Sequence, residues 1–160
     1  MSKSDQRNDQ TGQYVSFKLH GEEYGVPILS VHEIIRYETV TRVPQSMDFI
    51  DGVLNLRGRV IPVVNLRMKF GLPQREVDNS TRIMVVDVNS RVVGMVVDEV
   101  CEVQDINADE ISPAPPLGAK INTEYITGMG KIEDRLMILL NLNKIFTLDE
   151  GEQVEEAARV

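Results

Sequence analysis

Cysteine is nearly absent from this chain. Cys101 is the only one in 160 residues, so no intrachain disulfide can form, which fits a reducing compartment. Histidine is scarce too: His20 and His32 are the only two, and they lie far from any zinc-binding spacing. No apolar run approaches the ~20 residues a spanning helix needs, and the first twelve residues are too polar for a signal peptide. Positive charge is in deficit. A net charge of -8 and a pI near 4.8 count against nucleic acid and anionic membranes as partners. These absences point to a soluble cytoplasmic protein that neither binds nucleic acid nor inserts into a membrane.

Reactive constellations are missing as well. No complete phosphate loop occurs; Gly128-Met129-Gly130-Lys131 is only a fragment of one. Residues 105–109 imitate the start of a calcium loop, but Glu110 stands where glycine is required and Pro116 where a bidentate glutamate is required. Cys101 sits in an apolar stretch and reads as a small buried hydrophobe. The seven methionines read as core filler. No catalytic residue, metal or cofactor is assigned, and the chain is expected not to be an enzyme.

What the chain has is repetition. Residues 49–70 (FIDGVLNLRGRVIPVVNLRMKF) align without a gap on residues 125–146 (YITGMGKIEDRLMILLNLNKIF). Gly52 meets Gly128, Arg59 meets Arg135 and Asn65-Leu66 meets Asn141-Leu142. More weakly, residues 13–33 align on 82–102, with Gly25 on Gly94, Val31 on Val100 and Glu33 on Glu102. A shared glycine followed by a shared apolar run implies a shared backbone path. The register slips between the two pairs, so the second repeat carries extra residues, and the loop at 112–120 is the place for them.

Alternation by twos dominates. Val15, Phe17 and Leu19 face one way and Tyr14, Ser16 and Lys18 the other. The spacing predicts strands at about 14–19, 24–29, 31–37, 52–56 and 59–64, and again at 82–88, 92–97, 99–105, 128–132 and 136–140. Helix is confined to single turns at 66–71 and 142–148, plus one opened by the capping-box spacing of Asn107 and Glu110. Pro62 inside a strand implies an edge or a bulge, because it has no N–H to donate. The fold class is all-β: two five-stranded SH3-like barrels related by internal duplication, packed around a shared interlobe core. Lobe one spans about 13–77 and lobe two about 80–148, with strand exchange between them left open. Residues 1–12 and the acidic stretch 149–160 read as tails.

Function must then lie in surfaces. Arg57 stands out at a hairpin tip beside Gly58, where the equivalent tip of the second repeat carries Glu133-Asp134. Opposite charge at equivalent places suggests different partners. Spacing alone favours the blander alternative, a solvated turn residue.

The run Gly52-Val53-Leu54-Asn55-Leu56-Arg57-Gly58-Arg59-Val60-Ile61-Pro62-Val63-Val64-Asn65-Leu66-Arg67 resembles the signature of the CheW family of chemotaxis coupling proteins. So do Glu22 through Ile28, Val31-His32-Glu33-Ile34, residues 91–98, Pro113-Ala114-Pro115 and residues 123–130. The resemblance covers about residues 13–148. It implies a non-enzymatic adaptor between the cytoplasmic tips of chemoreceptors, which are helical hairpins, and the regulatory domain of the histidine kinase CheA, with like barrels pairing in rings. The adaptor would be recruited to membrane-associated receptor arrays. By motif position the receptor groove would use Val31, Glu33, Ile34, Gly52, Val53 and Arg57, Arg57 pairing with receptor carboxylates while Ile34 and Val53 take the apolar face of the receptor helix. Kinase or ring contacts would involve Ser112, Pro113 and Leu117.

The chain departs from the family pattern in three places. The family commonly has Asp at the place of Asn65, Arg at that of Ser112 and an aromatic at that of Leu117, which would weaken a local cap or ion pair and rewire a ring contact. The length leaves no room for a fused kinase or receiver domain, so the domain is expected to stand alone. Two alternatives accompany the adaptor reading: a coupler for a surface-motility pathway, and a small-ligand sensor using the interlobe crevice.

Overall fold

Tight turns with positive φ set the strand boundaries. His20-Gly21, Arg57-Gly58 and Asn89-Ser90 each have φ between 51° and 83° at both residues, the backbone twist that suits a two-residue hairpin. The computed structural model describes residues 12–44, 48–113 and 123–145. Its strands are β1 (Gln13–Leu19), β2 (Glu22–Pro27), β3 (Val31–Arg36), β4 (Ile50–Leu56), β5 (Arg59–Asn65), β6 (Arg82–Val88), β7 (Arg91–Val97), β8 (Glu99–Asp105), β9 (Ile111–Ser112), β10 (Ile126–Ile132) and β11 (Arg135–Leu140). Two single-turn helices follow the last strand of each repeat: α1 (Leu66–Lys69) and α2 (Leu142–Ile145).

The strands form a six-stranded sheet in the order β8-β1-β2-β11-β10-β9 and a five-stranded sheet in the order β3-β6-β7-β5-β4. Each curls into an SH3-like lobe. Neither lobe follows the chain division at about residues 77–80. The first hairpin, β1-β2, joins β8, β10 and β11 of the second repeat; the hairpin β6-β7 joins β3, β4 and β5 of the first. Replace every strand by its repeat equivalent and one sheet order becomes the other, apart from the two-residue β9. The exchange is therefore reciprocal.

The joints that close the exchange are also equivalent. Leu139 pairs with Gly25 in parallel, and Val63 pairs with Gly94 in parallel. Both glycines leave room for core side chains beside the joint: a Cβ on Gly25 would sit 2.4 Å from the Met137 sulfur, and one on Gly94 would sit 2.8 Å from the Ile83 Cγ2. The Pro62 position separates the lobes. Its counterpart Ile138 pairs with Tyr24, whereas the β5–β7 ladder begins only at Val63, so Pro62 needs no partner on that side.

Strands β1 and β6 bury both faces. Val15, Phe17, Leu19, Met84, Val86 and Val88 enter a core shared by the lobes, together with Tyr24, Phe49, Phe70, Met95 and Leu140. Their opposite faces fill the separate lobe interiors: Ile83 and Val85 with Leu54, Ile61 and Val63 in one, Tyr14 with Ile106, Met137 and Leu139 in the other. Each large side chain so buried contributes about 1.5–3 kcal/mol. This double burial explains the unbroken apolar runs of β6 and β7. A line of rings crosses the shared core, Phe17 to Tyr24 at 5.7 Å, Tyr24 to Phe70 at 6.0 Å and Phe70 to Tyr125 at 5.8 Å. Burial, with Glu22 adding to it, pushes the Tyr24 hydroxyl up to about 12.

Cys101 corrects the sequence reading, because its side chain is exposed. It lies on β8, an edge strand paired only with β1, at the register shift between Val15 and Phe17, where the alternation breaks and the thiol turns outward. The Asn65 substitution keeps its cap: its Oδ1 accepts the Met68 N–H at 3.0 Å, while its Nδ2 donates to Gln74 Oε1 at 2.9 Å. Glu110 Oε1 accepts the Asn107 N–H at 2.8 Å, as the capping-box spacing suggested.

Candidate functional site

The residues singled out by motif gather on the five-stranded lobe. The β4–β5 turn holds Arg57 at φ 54° and Gly58 at φ 83°, with Asn55 Oδ1 accepting the Gly58 N–H at 2.8 Å. From that turn the guanidinium reaches back to β3 and meets Glu33 twice, Nη1 to Oε2 at 2.5 Å and Nη2 to Oε1 at 2.7 Å. The pair sits at the surface, with the Arg57 side chain 72% exposed and that of Glu33 27%. Its hydrogen bond holds the Glu33 carboxyl below the usual carboxylate range. Two-pronged geometry fixes the direction of the guanidinium as well as its charge. Arg57 is thus not a freely solvated turn residue.

Next to Glu33 along β3, Ile34 is exposed at 38%. His32, at a register shift on the same strand, has its Nε2 2.9 Å from Asp87 Oδ1. The other motif residues play a different part. Val53 is only 8% exposed, so it presents almost no surface to a partner. Its backbone exchanges two hydrogen bonds with Thr41, at 2.8 and 2.9 Å. Gly52 makes that approach feasible: its φ is 154°, and a Cβ there would lie 2.3 Å from the Thr41 carbonyl oxygen. Val31 is half-buried and packs against the shared core. The motif residues therefore divide into a more exposed set (Glu33, Ile34, Arg57) and a more buried one (Val31, Gly52, Val53).

Ser112 and Pro113 lie elsewhere, on the six-stranded lobe. Ser112 is exposed, and β9 pairs it with Met129, the counterpart of the Thr41–Val53 bridge. Leu117 falls outside the described residues.

A buried polar cluster escaped the sequence reading. Arg67 donates from Nε and Nη2 to Asp98 at 3.0 and 2.6 Å and from Nη1 to the Pro73 carbonyl at 2.5 Å. Asp98 also accepts the His20 N–H at 2.9 Å and lies 3.2 Å from Arg75 Nη1. Burial pushes Asp98 up, but Arg67, the His20 amide and Arg75 outweigh it, and the carboxyl titrates below its ordinary value. Its sequence signal is a joint departure from the repeat: Arg67 aligns with Asn143 and Asp98 with Leu29. Between the lobes, the Lys69 ammonium lies 4.7 Å from the Phe49 ring centre and 5.7 Å from that of Tyr125, two rings at equivalent repeat positions.

Among the described residues no group of three His, Cys, Asp or Glu is placed to hold a metal ion, and no helix is long and apolar enough to cross a membrane.

Comparison with known proteins places these features in context. A family model described as a CheW-like domain matches residues 13–150. The chain is 40% identical over 147 residues to the chemotaxis protein CheW of Klebsiella aerogenes, covering 92% of this chain and 89% of that one. It is 37% identical over 143 residues to the chemotaxis protein CheW of Helicobacter pylori, covering 89% and 86%. The crystal structure of the scaffolding protein TtCheW from Thermoanaerobacter tengcongensis superposes with a TM-score of 0.79 at 34% identity, over 88% of this chain and 90% of that one.

Proposed function

The chain belongs to the family of CheW-like domains, and from that premise we propose that it is a non-enzymatic adaptor of bacterial chemotaxis, coupling the cytoplasmic tips of chemoreceptors to the regulatory domain of a CheA-type histidine kinase. Relatives that carry the names chemotaxis protein and scaffolding protein support this reading. The single observation that carries it is the surface on β3 and the β4–β5 turn, where Glu33 orients Arg57 and the next residue along β3, Ile34, is exposed. An apolar contact flanked by a directed cation suits a helix with an apolar stripe and carboxylates along one side.

In this scheme the receptor hairpin lies across β3. Ile34 takes its apolar stripe, and a receptor carboxylate competes with Glu33 for the guanidinium. Val53, Gly52 and Val31 act from behind, by fixing the backbone on which Ile34 and Arg57 are mounted. The kinase contact, and pairing with other CheW-like domains in rings, falls to lobe ends that include Ser112, Pro113 and Leu117. Recruitment to receptor arrays needs no membrane-spanning segment of the adaptor's own.

The test is a sedimentation assay with vesicles displaying receptor tips. Arg57→Glu is expected to weaken capture by about tenfold or more while leaving the circular dichroism spectrum unchanged. Kinase autophosphorylation with receptor is expected to rise on adding the wild-type protein and to stay at its basal level with the variant. Undiminished capture by Arg57→Glu would remove the groove assignment.

A further inference from the structure

The duplication places a second copy of the β3/β4–β5 surface on the six-stranded lobe, with its charge changed. There β8 stands for β3, β10 for β4, and the β10–β11 turn for the β4–β5 turn. The backbone agrees in detail. Both hairpins shift register at the same glycine step, Ile50/Gly52 and Ile126/Gly128, and Glu133 holds the φ of 54° that Arg57 holds. The apolar exposure repeats as well. Val103 stands for Ile34 and is 50% exposed; Leu136 stands for Val60 and is 56% exposed against 38%.

The charges do not repeat. Glu33 keeps its counterpart in Glu102, but Arg57 is replaced by Glu133, and Asp134 follows it. Of the two cations on this hairpin, Arg135 is drawn inward to Glu23 at 3.1 Å, with Glu102 at 3.5 Å, and Lys131 stands on β10 at the place of Asn55. Among the described residues neither Glu133 nor Asp134 forms an ion pair. The imbalance extends over the lobe. Residues 31–97 hold nine Lys and Arg against seven Asp and Glu, whereas residues 12–30, 98–113 and 123–145 hold four against eleven. A surface of this sign repels an acidic helix and attracts a basic one.

We infer that the six-stranded lobe carries a second helix-docking surface, formed by Val103, Leu136, Glu102, Glu133 and Asp134, whose occupant is an amphipathic helix with Lys or Arg flanking its apolar stripe. The inference rests on the reading of the Ile34–Arg57 surface as a helix groove, since the two share one backbone. Val103 and Leu136 take the stripe, and the carboxylates at the turn take the flanking cations. Such a contact is salt-sensitive, because its charges are exposed.

The test uses the full chain, labelled for amide NMR, and three synthetic peptides. One is a helix with leucines on one face and lysines beside them; the second replaces those lysines by glutamates; the third scrambles the first. The lysine helix is expected to shift the amides of β8 and of the β10–β11 turn, and the scrambled peptide to bind about tenfold more weakly or less. The double variant Leu136→Ser/Glu133→Arg is expected to lose about tenfold in affinity for the lysine helix. Shifts centred on Ile34 and Arg57, equal binding of the scrambled peptide, or an unaffected double variant would each overturn the inference. Receptor-tip capture separates this from the adaptor reading: the double variant is expected to retain capture, and Arg57→Glu to lose it. If Arg57→Glu retains capture, the receptor reading fails whatever the peptides do.

Discussion

Arg67 and Asp98 form a two-pronged ion pair whose side chains are only 10% and 11% exposed. The pair ties α1 to the crossover from β7 to β8, and through the His20 amide it reaches the β1–β2 turn of the other lobe. Three donors besides Arg75 are thus accounted for on one carboxylate, and removing the guanidinium leaves that charge in a dry place. Arg67→Met is therefore expected to cost about 3–5 kcal/mol. The double variant Arg67→Met/Asp98→Leu, which installs the apolar residue found at the equivalent position Leu29, is expected to recover most of the loss. Urea unfolding of the three proteins at neutral pH checks both statements.

The same carboxylate gives a pH dependence of known sign. Asp98 titrates below its ordinary value in the folded chain, so its stabilisation is complete above the unfolded value of about 3.9 and fades as pH falls through the folded one. Asp98→Asn is expected to be less stable than the wild type at pH 7, with the gap closing below about pH 4. Denaturant midpoints measured between neutral and acid pH test it. A gap that stays constant down to the acid limit would mean that the ion pair is not its source.

Asn65 makes a further electrostatic prediction. Burial pushes the Asp51 carboxyl up, and the Asn65 amide pulls it partly back with a hydrogen bond of 3.4 Å. Asn65→Asp keeps an acceptor for the Met68 amide but turns the donor facing Asp51 into a second carboxylate. Like charge raises Asp51 further, and a carboxyl raised in the folded state costs stability at every pH above its folded value. The variant is expected to lose about 1 kcal/mol at pH 7 and to regain it as the pair takes up a proton on acidification. Paired urea curves at pH 7 and pH 5 would show it.

Cys101 should behave as its exposure dictates. In the native protein a water-soluble thiol reagent is expected to modify it stoichiometrically, at a rate within about tenfold of that in denaturant. A fully protected thiol would place β8 differently. The apolar neighbours Val100 and Val103 suggested burial in the sequence, and they misled because a bulge resets alternation where the ladder slips. Much else was legible. The glycine pair Gly52 and Gly128, the hairpin turns and the single-turn helices follow from local chemistry that the sequence writes twice. The reciprocal exchange was not, because a β1-β2 hairpin has the same local energetics in either lobe. The ladders between repeats distinguish them, β1 with β8 and β3 with β6, closed by the parallel pairings of Leu139 with Gly25 and Val63 with Gly94, and all of these join residues far apart in the chain. Likewise Arg57 and Glu33 were each marked by motif, but their meeting depends on how β3 curls towards the β4–β5 turn.

Two glycines allow the support behind the Ile34–Arg57 surface to be tested against simple crowding. Gly25→Ala would place a methyl against the Met137 sulfur and the Leu139 Cδ2, buried side-chain atoms that can shift only by repacking, so a cost of about 1–2 kcal/mol is expected. Gly52→Ala would place one against the Thr41 carbonyl oxygen and carbon, at 2.3 and 2.7 Å, on a backbone whose φ of 154° suits glycine. Backbone cannot swing aside, so steric conflict and conformational strain add, and about 3 kcal/mol or more is expected. The location of the damage matters as much as its size. Because Val53 and Thr41 exchange two hydrogen bonds across that glycine, Gly52→Ala is expected to speed amide exchange at both residues, while Gly25→Ala leaves them protected. Receptor-tip capture should fall with the first variant and persist with the second, since only the first moves the backbone that carries Arg57. Equal capture by both, with exchange at Val53 accelerated in Gly52→Ala alone, would separate the bridge from the binding surface and leave Gly52 a role in stability only.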